Sequence, residues 1–259
     1  MTTRLFSSYL VSVSGPETAS AVHYARTHGY GIEIKDFAWH GVLTDRRLCK
    51  QVMASYRGVL PSLAGPITAH GPFTDLSLGG SDPGVLAISR KRVAAFLDVV
   101  EALAVPRAVL HTCWNHPQAQ PWYRPEWVKR HAEFWQEALK GRRVEVLLEN
   151  LWDPDPELFA MAVDAVGMTA VAACLDVGHA HVHTGIPPQR WVEVLGSRIR
   201  HLHLHDNTRE YDQHLTPGAG SVEWAAVAHS LRTQGLRPTA TLELGLEQLE
   251  EATLFLEGL

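Results

Sequence analysis

The sequence has few cysteines, no long apolar run and no block of like charges. Its three cysteines, Cys49, Cys113 and Cys174, lie far apart and form no CxxC pair, so neither a disulfide framework nor a thiolate zinc site is indicated. No run of about 18 apolar residues is present, so no membrane span is expected. The first apolar run is too short for a signal peptide, and a reducing cytoplasm is the expected location.

Positive charge is also scarce, since 23 Lys and Arg residues face 28 Asp and Glu residues and the net charge is −5 at pH 7. Nucleic-acid-binding proteins draw much of their affinity from cationic contacts with phosphates. A nucleic-acid partner is therefore disfavoured, although it stays open because charge can be placed locally.

Short apolar runs alternate with longer amphipathic stretches along the chain, and we interpret them as buried parallel strands and helices. The eight predicted strands are 9–13, 31–35, 65–70, 108–111, 144–149, 171–176, 199–203 and 239–243. Eight β-then-α units without a Ser/Gly-rich linker predict an α/β protein with a single (β/α)8 TIM barrel domain over residues 1–259. The alternative is an open doubly wound sheet, but the GxGxxG turn that is typical of such a sheet after its first strand is absent.

Six consecutive predicted strands end in a residue of the kind that binds metals. These residues are His70, His111, Glu149, Asp176, His203 and Glu243. The strand ends of a barrel converge on the face where barrel active sites lie, so this pattern predicts a central metal site. The alternative is a set of polar strand caps facing solvent. A ligand set of carboxylate and imidazole without thiolate favours Mn, Zn, Co or Fe over Mg or Ca.

Histidine is unusually dense near the end of the chain: seven of the 15 histidines fall between His179 and His214. Within the seventh strand, His201, His203 and His205 share one face by the period of two. We expect His203 to be the ligand and His201 to lie deeper in the barrel. His205 is either a donor to a ligand or a loop residue.

Two further groups could extend the metal site. His179 follows Asp176 by three residues, and Asp212 and His214 lie on a Gly/Pro-rich loop where they could bind another ion.

Other residues are candidates for substrate contact. Glu149 and Glu243 could approach a substrate from opposite sides and move a proton on and off carbon, or orient a water. Trp114 and His116 follow the fourth strand, where they either line the pocket mouth or anchor a loop, and a Trp face packs well against a sugar ring. Glu33 and Lys35 at the end of the second strand either touch substrate or form an internal ion pair.

With these motifs the chain resembles the xylose isomerase-like barrel superfamily, which contains sugar-phosphate isomerases, 3-epimerases and type 2 apurinic endonucleases. The resemblance covers nearly the whole chain through the segments GIEIKD, AHGPFTDLSLG, LLENLW, CLDVGHAH, HLHLHDN, DQHLTPGAG and TLELG. It implies the same barrel and a divalent metal, with one to three ions.

The ketose 3-epimerases of this superfamily hold one metal with four residues, and their two glutamates exchange the proton at the substrate carbon. The matching positions are Glu149, Asp176, His203 and Glu243. The resemblance also implies substrate contacts for His179 and Arg209. This chain departs from the epimerase pattern in having Asp206 where Glu is usual and in the extra residues 211–216 before its PGAG turn.

The apurinic endonucleases use three zinc ions and nine ligands. The matching positions are His70, His111, Glu149, Asp176, His179, His203, Asp212, His214 and Glu243. However, uncharacterised members of the isomerase-like branch often carry the same set. Phe73 stands where the endonucleases have a DNA-penetrating Tyr, and HGPFTDLSL and HLTPGAG are typical of the isomerase-like branch.

We therefore predict a cytoplasmic, metal-dependent isomerase or epimerase of a small sugar-like or sugar-phosphate substrate. Two alternatives are kept: a multinuclear zinc phosphodiesterase, and a non-catalytic metal or sugar binder. A homo-oligomer is also left open.

Overall fold

All eight strands are parallel and hydrogen-bond in chain order around a closed barrel, in which the last strand returns to the first. The structure is a computed structural model and describes residues 4–114 and 122–259. The strands are β1 (Ser8–Val13), β2 (Gly31–Ile34), β3 (Ile67–His70), β4 (Arg107–His111), β5 (Glu145–Glu149), β6 (Val171–Asp176), β7 (Ile199–Leu204) and β8 (Thr239–Leu242). The predicted (β/α)8 barrel is thereby confirmed.

Helices cover the outside of the barrel between the strands. They are α1 (Thr18–His28), α2 (His40–Thr44), α3 (Arg46–Val59), α4 (Pro83–Ala102), α5 (Tyr123–Ala138), α6 (Pro156–Val166), α7 (Val177–His183), α8 (Pro188–Leu195), α9 (Trp224–Thr233) and α10 (Leu249–Glu257). Local sequence explains several helix starts: Asp82 caps α4 by accepting from the N–H groups of Gly84 and Val85, with Pro83 in the first turn. Of the described helices, none is long and apolar enough to cross a bilayer.

The interior of the barrel is apolar on one side and polar on the other. Val109, Leu147, Ala172 and Cys174, from β4, β5 and β6, form the apolar side. On the opposite side, the carboxylate of Glu33 accepts from Thr68 Oγ1 at 2.8 Å and from Thr241 Oγ1 at 3.0 Å. The ends of β4, β5 and β6, with three of the predicted ligands, therefore continue the apolar side, whereas those of β3, β7 and β8 continue the polar side.

Register places ligands of neighbouring strands side by side. The Cα of His111 on β4 pairs with that of Glu149 on β5, and Asp176 on β6 pairs with His203 on β7. Because all strands are parallel, their carboxyl ends form one rim, and the predicted ligands meet there.

Candidate metal centre

The strand ends deliver all six predicted ligands to one buried cluster. His70, His111, Glu149 and Asp176 are the last residues of their strands, whereas His203 lies one residue before the end of β7 and Glu243 follows β8 directly. Each of the six is at most 6% exposed. The structural alternative of solvent-facing polar caps is therefore wrong.

Glu149 lies at the centre of this cluster. Its Oε2 is 3.1 Å from His70 Nε2 and 3.0 Å from His111 Nε2. Its Oε1 is 3.1 Å from His203 Nδ1 and 3.4 Å from His179 Nδ1. Each carboxylate oxygen of Glu149 thus faces imidazole nitrogens of the cluster.

Nδ1 of His203 is the point on which the other carboxylates converge. It lies 3.2 Å from Glu243 Oε1 and 3.8 Å from Asp176 Oδ2, besides its approach to Glu149. The four residues that resemble the epimerase ligand set are therefore within reach of one another.

Asp212 organises a second group nearer the surface. Its Oδ2 is 3.0 Å from His214 Nε2 and 3.4 Å from His179 Nε2. The structure thus brings together all nine residues that resemble the endonuclease ligands, some in the buried cluster and some in this outer group.

The hydrogen bonds of the histidines fix which ring nitrogen faces the carboxylates. Three rings make Nδ1 bonds of 2.8–2.9 Å to backbone carbonyl oxygens: His70 to Gly71, His179 to Asn150 and His214 to Glu243. A carbonyl oxygen accepts and never donates, so Nδ1 carries the hydrogen in each ring. Nε2 then faces a carboxylate oxygen, and the two atoms can share a metal ion or, with no metal bound, a proton on Nε2. Burial alone would lower the pKa of His214, but Asp212 raises it to about 9, and burial likewise opposes the rise in the pKa of His179 that Asp176 and Asp212 cause.

Glu33 performs the same function for His203. Its fully buried carboxylate accepts from His203 Nε2–H at 3.3 Å, which leaves Nδ1 to face the other carboxylates and to hold a proton or a metal ion there. This is the carboxylate–histidine–metal arrangement that orients ligands in metal sites. From the sequence, Glu33 was expected to touch substrate or to form an internal ion pair. Its position as an acidic residue within an otherwise apolar strand is the signal that could have identified it as a partner of a metal ligand.

The carboxylates of the cluster are ionised at neutral pH. Burial by itself raises the pKa of Glu149 and Asp176, but the neighbouring histidines outweigh it and hold both pKa values below their usual range. Burial also raises the pKa of Glu243, which the charges of Lys35 and His203 lower below its usual range. Such a concentration of buried negative charge and lone pairs fits a divalent cation, and nitrogen and oxygen donors suit Mn, Zn, Co or Fe.

Asp176 has a second role as the N-cap of α7. Its Oδ1 accepts from the backbone N–H of His179 at 2.6 Å, which fixes the short helix that presents the His179 ring. The sequence left two roles open for His205, a donor to a ligand or a loop residue. The structure places it as a donor, because it is fully buried and its Nε2 lies 3.2 Å from Asp176. His201, as expected, lies deeper, bonded through both ring nitrogens to Thr239 and Thr241.

A cavity of about 560 Å³ opens beside Glu243 and His214. Lys35 lines it, and its Nζ lies 2.8 Å from Glu243 Oε1. Burial alone would lower the pKa of Lys35, but the charge of Glu243 raises it above its usual range, so an ammonium faces the cavity. Trp39, 61% exposed, stands at the rim.

The remaining predicted substrate residues lie farther from this cavity. Trp114 is buried against Trp127, with ring centroids 5.0 Å apart, and lines a separate cavity of about 380 Å³ next to His111. Arg209 is exposed on the loop after β7 and lines neither of these two cavities. His116 lies outside the described residues.

Comparisons with known proteins agree with this architecture. The family model described as "Xylose isomerase-like TIM barrel" matches residues 25–259. A solved structure of the TTHB071 protein from Thermus thermophilus, soaked with ZnCl2, is 26% identical, covers 96% of both chains and gives a TM-score of 0.78. The structure of a D-tagatose 3-epimerase-like protein is 20% identical, covers 97% of this chain and 96% of its own, and gives a TM-score of 0.76, a likeness of fold. The uncharacterized protein MJ1614 of Methanocaldococcus jannaschii is 21% identical over 194 residues, covering 74% of this chain and 75% of its own.

Proposed function

Because the chain belongs to the family of xylose isomerase-like TIM barrels, we propose that it is a metal-dependent isomerase or epimerase of a small sugar-like or sugar-phosphate substrate. The main support is the position of two glutamates. Glu149 Oε1 and Glu243 Oε1 lie 3.1 and 3.2 Å from the same nitrogen, His203 Nδ1, and Glu243 also lines the polar cavity. Two ionised carboxylates at one ligand cluster can act on the same substrate carbon.

In this proposal Glu149, Asp176, His203 and Glu243 hold the essential ion. A divalent ion bound there would act as a Lewis acid on the substrate carbonyl. One glutamate takes the proton from the carbon next to that carbonyl. Isomerisation returns the proton to the neighbouring carbon, whereas epimerisation delivers a proton to the opposite side of the same carbon.

The lining of the cavity indicates the substrate class. Lys35 offers an ammonium to a hydroxyl or phosphate oxygen, and Ser12, Ser14 and Gln213 add polar groups. The exposed face of Trp39 can pack against a sugar ring. Trp114, buried against Trp127, contributes only its edge to the wall of the second cavity. Substrate contacts by His179 and Arg209 complete the proposed set.

A substrate panel tests the proposal. Protein loaded with Zn, Mn or Co is incubated with ketoses, ketose phosphates and aldoses, and the products are identified by NMR, with EDTA-treated protein as the control. Metal-dependent interconversion of at least one sugar is expected. Binding of sugars without turnover by any metal form would instead support the non-catalytic binder.

A multinuclear phosphoesterase is the second candidate, because ligand groups extend beyond the four core residues. His70 and His111 meet Glu149, and Asp212 and His214 form the outer group. Asp212→Ala separates the two functions when metal content and turnover are measured together. An isomerase should keep the ion held by the four core residues and should retain substantial activity. A hydrolase that needs a further ion at the outer group, here called the outer ion, should lose activity.

A further inference from the structure

Phe73 forms a wall that two cavities at the ligand rim share. The polar cavity of about 560 Å³ lies beside Glu243, the second cavity of about 380 Å³ lies beside His111, and Phe73 lines both. Its ring stacks on that of His111, with centroids 4.7 Å apart and planes 22° apart. Because His111 and Glu243 belong to the same ligand cluster, the two cavities flank one metal centre. A ligand bound at that centre can therefore extend to both sides of the Phe73 ring.

The second cavity differs from the first in its chemistry. Val85, Leu151 and Trp152 are among the side chains that line it, and Trp152 is 54% exposed at its rim. Lys35 brings a positive charge to the polar cavity, whereas no lysine or arginine is among the described residues that line the second cavity. Asp75 adds a carboxylate to its wall. A phosphate group would lack a cationic partner there, while an apolar group would find matching side chains.

The volume of the second cavity fits a ligand group. About 380 Å³ lies within the range of about 300–1,000 Å³ that is typical of small-molecule sites. Apolar walls with an indole at the rim suit an aliphatic chain or an aromatic ring, since tryptophan offers a large apolar face. The second cavity is therefore suited to a part of the ligand that differs from the hydroxyl-bearing part.

The wall between the cavities is held by the backbone at Cys113. The φ of this residue is 56°, in the left-handed region that a non-glycine residue seldom adopts. Its thiol lies 3.5 Å from the carbonyl oxygen of His111 and 4.0 Å from that of Phe73. Strained residues persist where the surrounding structure holds them, and they cluster at binding sites. The thiol thus links the loop after β3, which carries Phe73, to the end of β4.

We propose that the substrate is a sugar that carries an apolar alkyl or aryl substituent on one of its oxygens. The sugar occupies the polar cavity with Lys35 and Trp39, and the substituent passes Phe73 into the second cavity, where it contacts Val85 and Trp152. This inference rests on the proposed function for the sugar and narrows its substrate class. A sugar with a phosphate at the end that faces the second cavity is disfavoured.

The test compares D-fructose with its two benzyl ethers, one at each primary hydroxyl group, in ligand-observed NMR titrations of the zinc-loaded protein. The ethers place the same apolar group at either end of the sugar. At least one ether is expected to bind about tenfold or more tightly than D-fructose, because burial of a group the size of a phenylalanine side chain has an effect of about this size. Benzyl alcohol should bind more weakly than that ether, because it lacks the sugar.

Two variants test where the substituent lies. Trp152→Ala removes the contact at the rim, and Val85→Trp fills the second cavity from the first turn of α4. Each variant should reduce the ratio of ether affinity to D-fructose affinity to below about threefold. Trp122→Ala is the matched control, because this tryptophan is 68% exposed and lines neither cavity, so the ratio should stay at the wild-type value.

Equal affinity for D-fructose and both ethers would overturn the proposal, as would no measurable binding of either ether. An advantage of the ether that survives in both variants, or binding of benzyl alcohol as tight as that of the ether, would also overturn it. Circular dichroism establishes that the variants fold, and either one alone decides the location. The readouts are affinities, so an ether preference without turnover in the substrate panel would refute only the reaction, whereas turnover of plain sugars without an ether preference would refute only this inference.

Discussion

Glu33 acts on the metal centre through His203 and is a positioning residue. Its carboxylate receives Nε2–H of His203 and is itself held by Thr68 and Thr241. We predict that Glu33→Gln keeps the shape of the side chain but lowers the affinity for the core ion by about 10–100-fold, as loss of such a partner does elsewhere. A zinc competition titration measures this, with a melting curve in EDTA as the control for stability. Unchanged zinc affinity would remove Glu33 from the metal centre.

Asp153 is a buried acid outside the ligand cluster. Burial raises its pKa to about 7, although Thr112 Oγ1 and the Leu151 N–H donate to it. Its native pKa lies above the value of about 3.9 in an unfolded chain, so the native state binds the proton more tightly and this group reduces stability as pH rises from about 4 to about 7. Asp153→Asn should therefore gain stability relative to wild type across that interval, by on the order of 1–4 kcal/mol.

Urea unfolding of both proteins at pH 4.5, 6 and 8 measures the effect of Asp153→Asn. The comparison uses the difference between variant and wild type, because other groups titrate equally in both. A difference that does not change with pH would show that Asp153 is ionised throughout.

At the scale of elements, the loop between β7 and α9 is held by one carboxylate. Asp206 Oδ1 accepts from the N–H groups of Asn207 and Val222, and its Oδ2 accepts from Gly218 N–H and Trp224 Nε1–H. These four bonds shape the loop that carries the outer ligands. An amide at this position would turn its NH2 group toward two donors and leave them unsatisfied, which costs about 1–3 kcal/mol for each group.

We predict that Asp206→Asn lowers the melting temperature and weakens the outer ion while the core ion remains. Trypsin cleavage after the exposed Arg209 should become faster, because that residue lies in the same loop. Asp98→Asn is the control, since its carboxylate lies on the exposed face of α4 in an ion pair with Arg142. Equal cleavage rates in wild type and Asp206→Asn would show that the four hydrogen bonds of Asp206 do not hold this loop.

The sequence predicts the barrel and its ligand rim because both depend on local patterns. Parallel strands are apolar runs that end at a polar residue, and the predicted end of β6 at Asp176 matches the structure. Helix α7 could not be found in the same way, because it has only seven residues and the first five of them are buried in succession, so it shows no amphipathic period.

The roles of some single residues could not be predicted from the sequence, because they depend on partners far away along the chain. Glu33 meets His203 across the barrel, 170 positions along the chain, and no local pattern specifies such a contact. The same holds for His205, whose strand face follows from the period of two but whose approach to Asp212 depends on the conformation of the loop after β7.

For the whole molecule, charge bears on the choice between sugar and nucleic acid. The net charge of −5 and the carboxylates gathered at the rim oppose a polyanion. We predict that abasic duplex DNA binds weakly at low salt and that binding disappears near about 150 mM salt. Fluorescence anisotropy across a salt series measures this. Tight, salt-resistant binding with strand incision would favour the hydrolase.

Turnover in D2O shows whether Glu149 and Glu243 transfer a proton at a substrate carbon. With the sugar that the panel identifies, deuterium should appear at the carbon next to the carbonyl, and the exchange rate should be at least about 100-fold lower in Glu243→Gln. Glu250→Gln, a change of an exposed residue on α10, should match wild type. Turnover without deuterium incorporation would rule out this proton transfer, and so would a Glu243→Gln variant that keeps more than about a tenth of the rate.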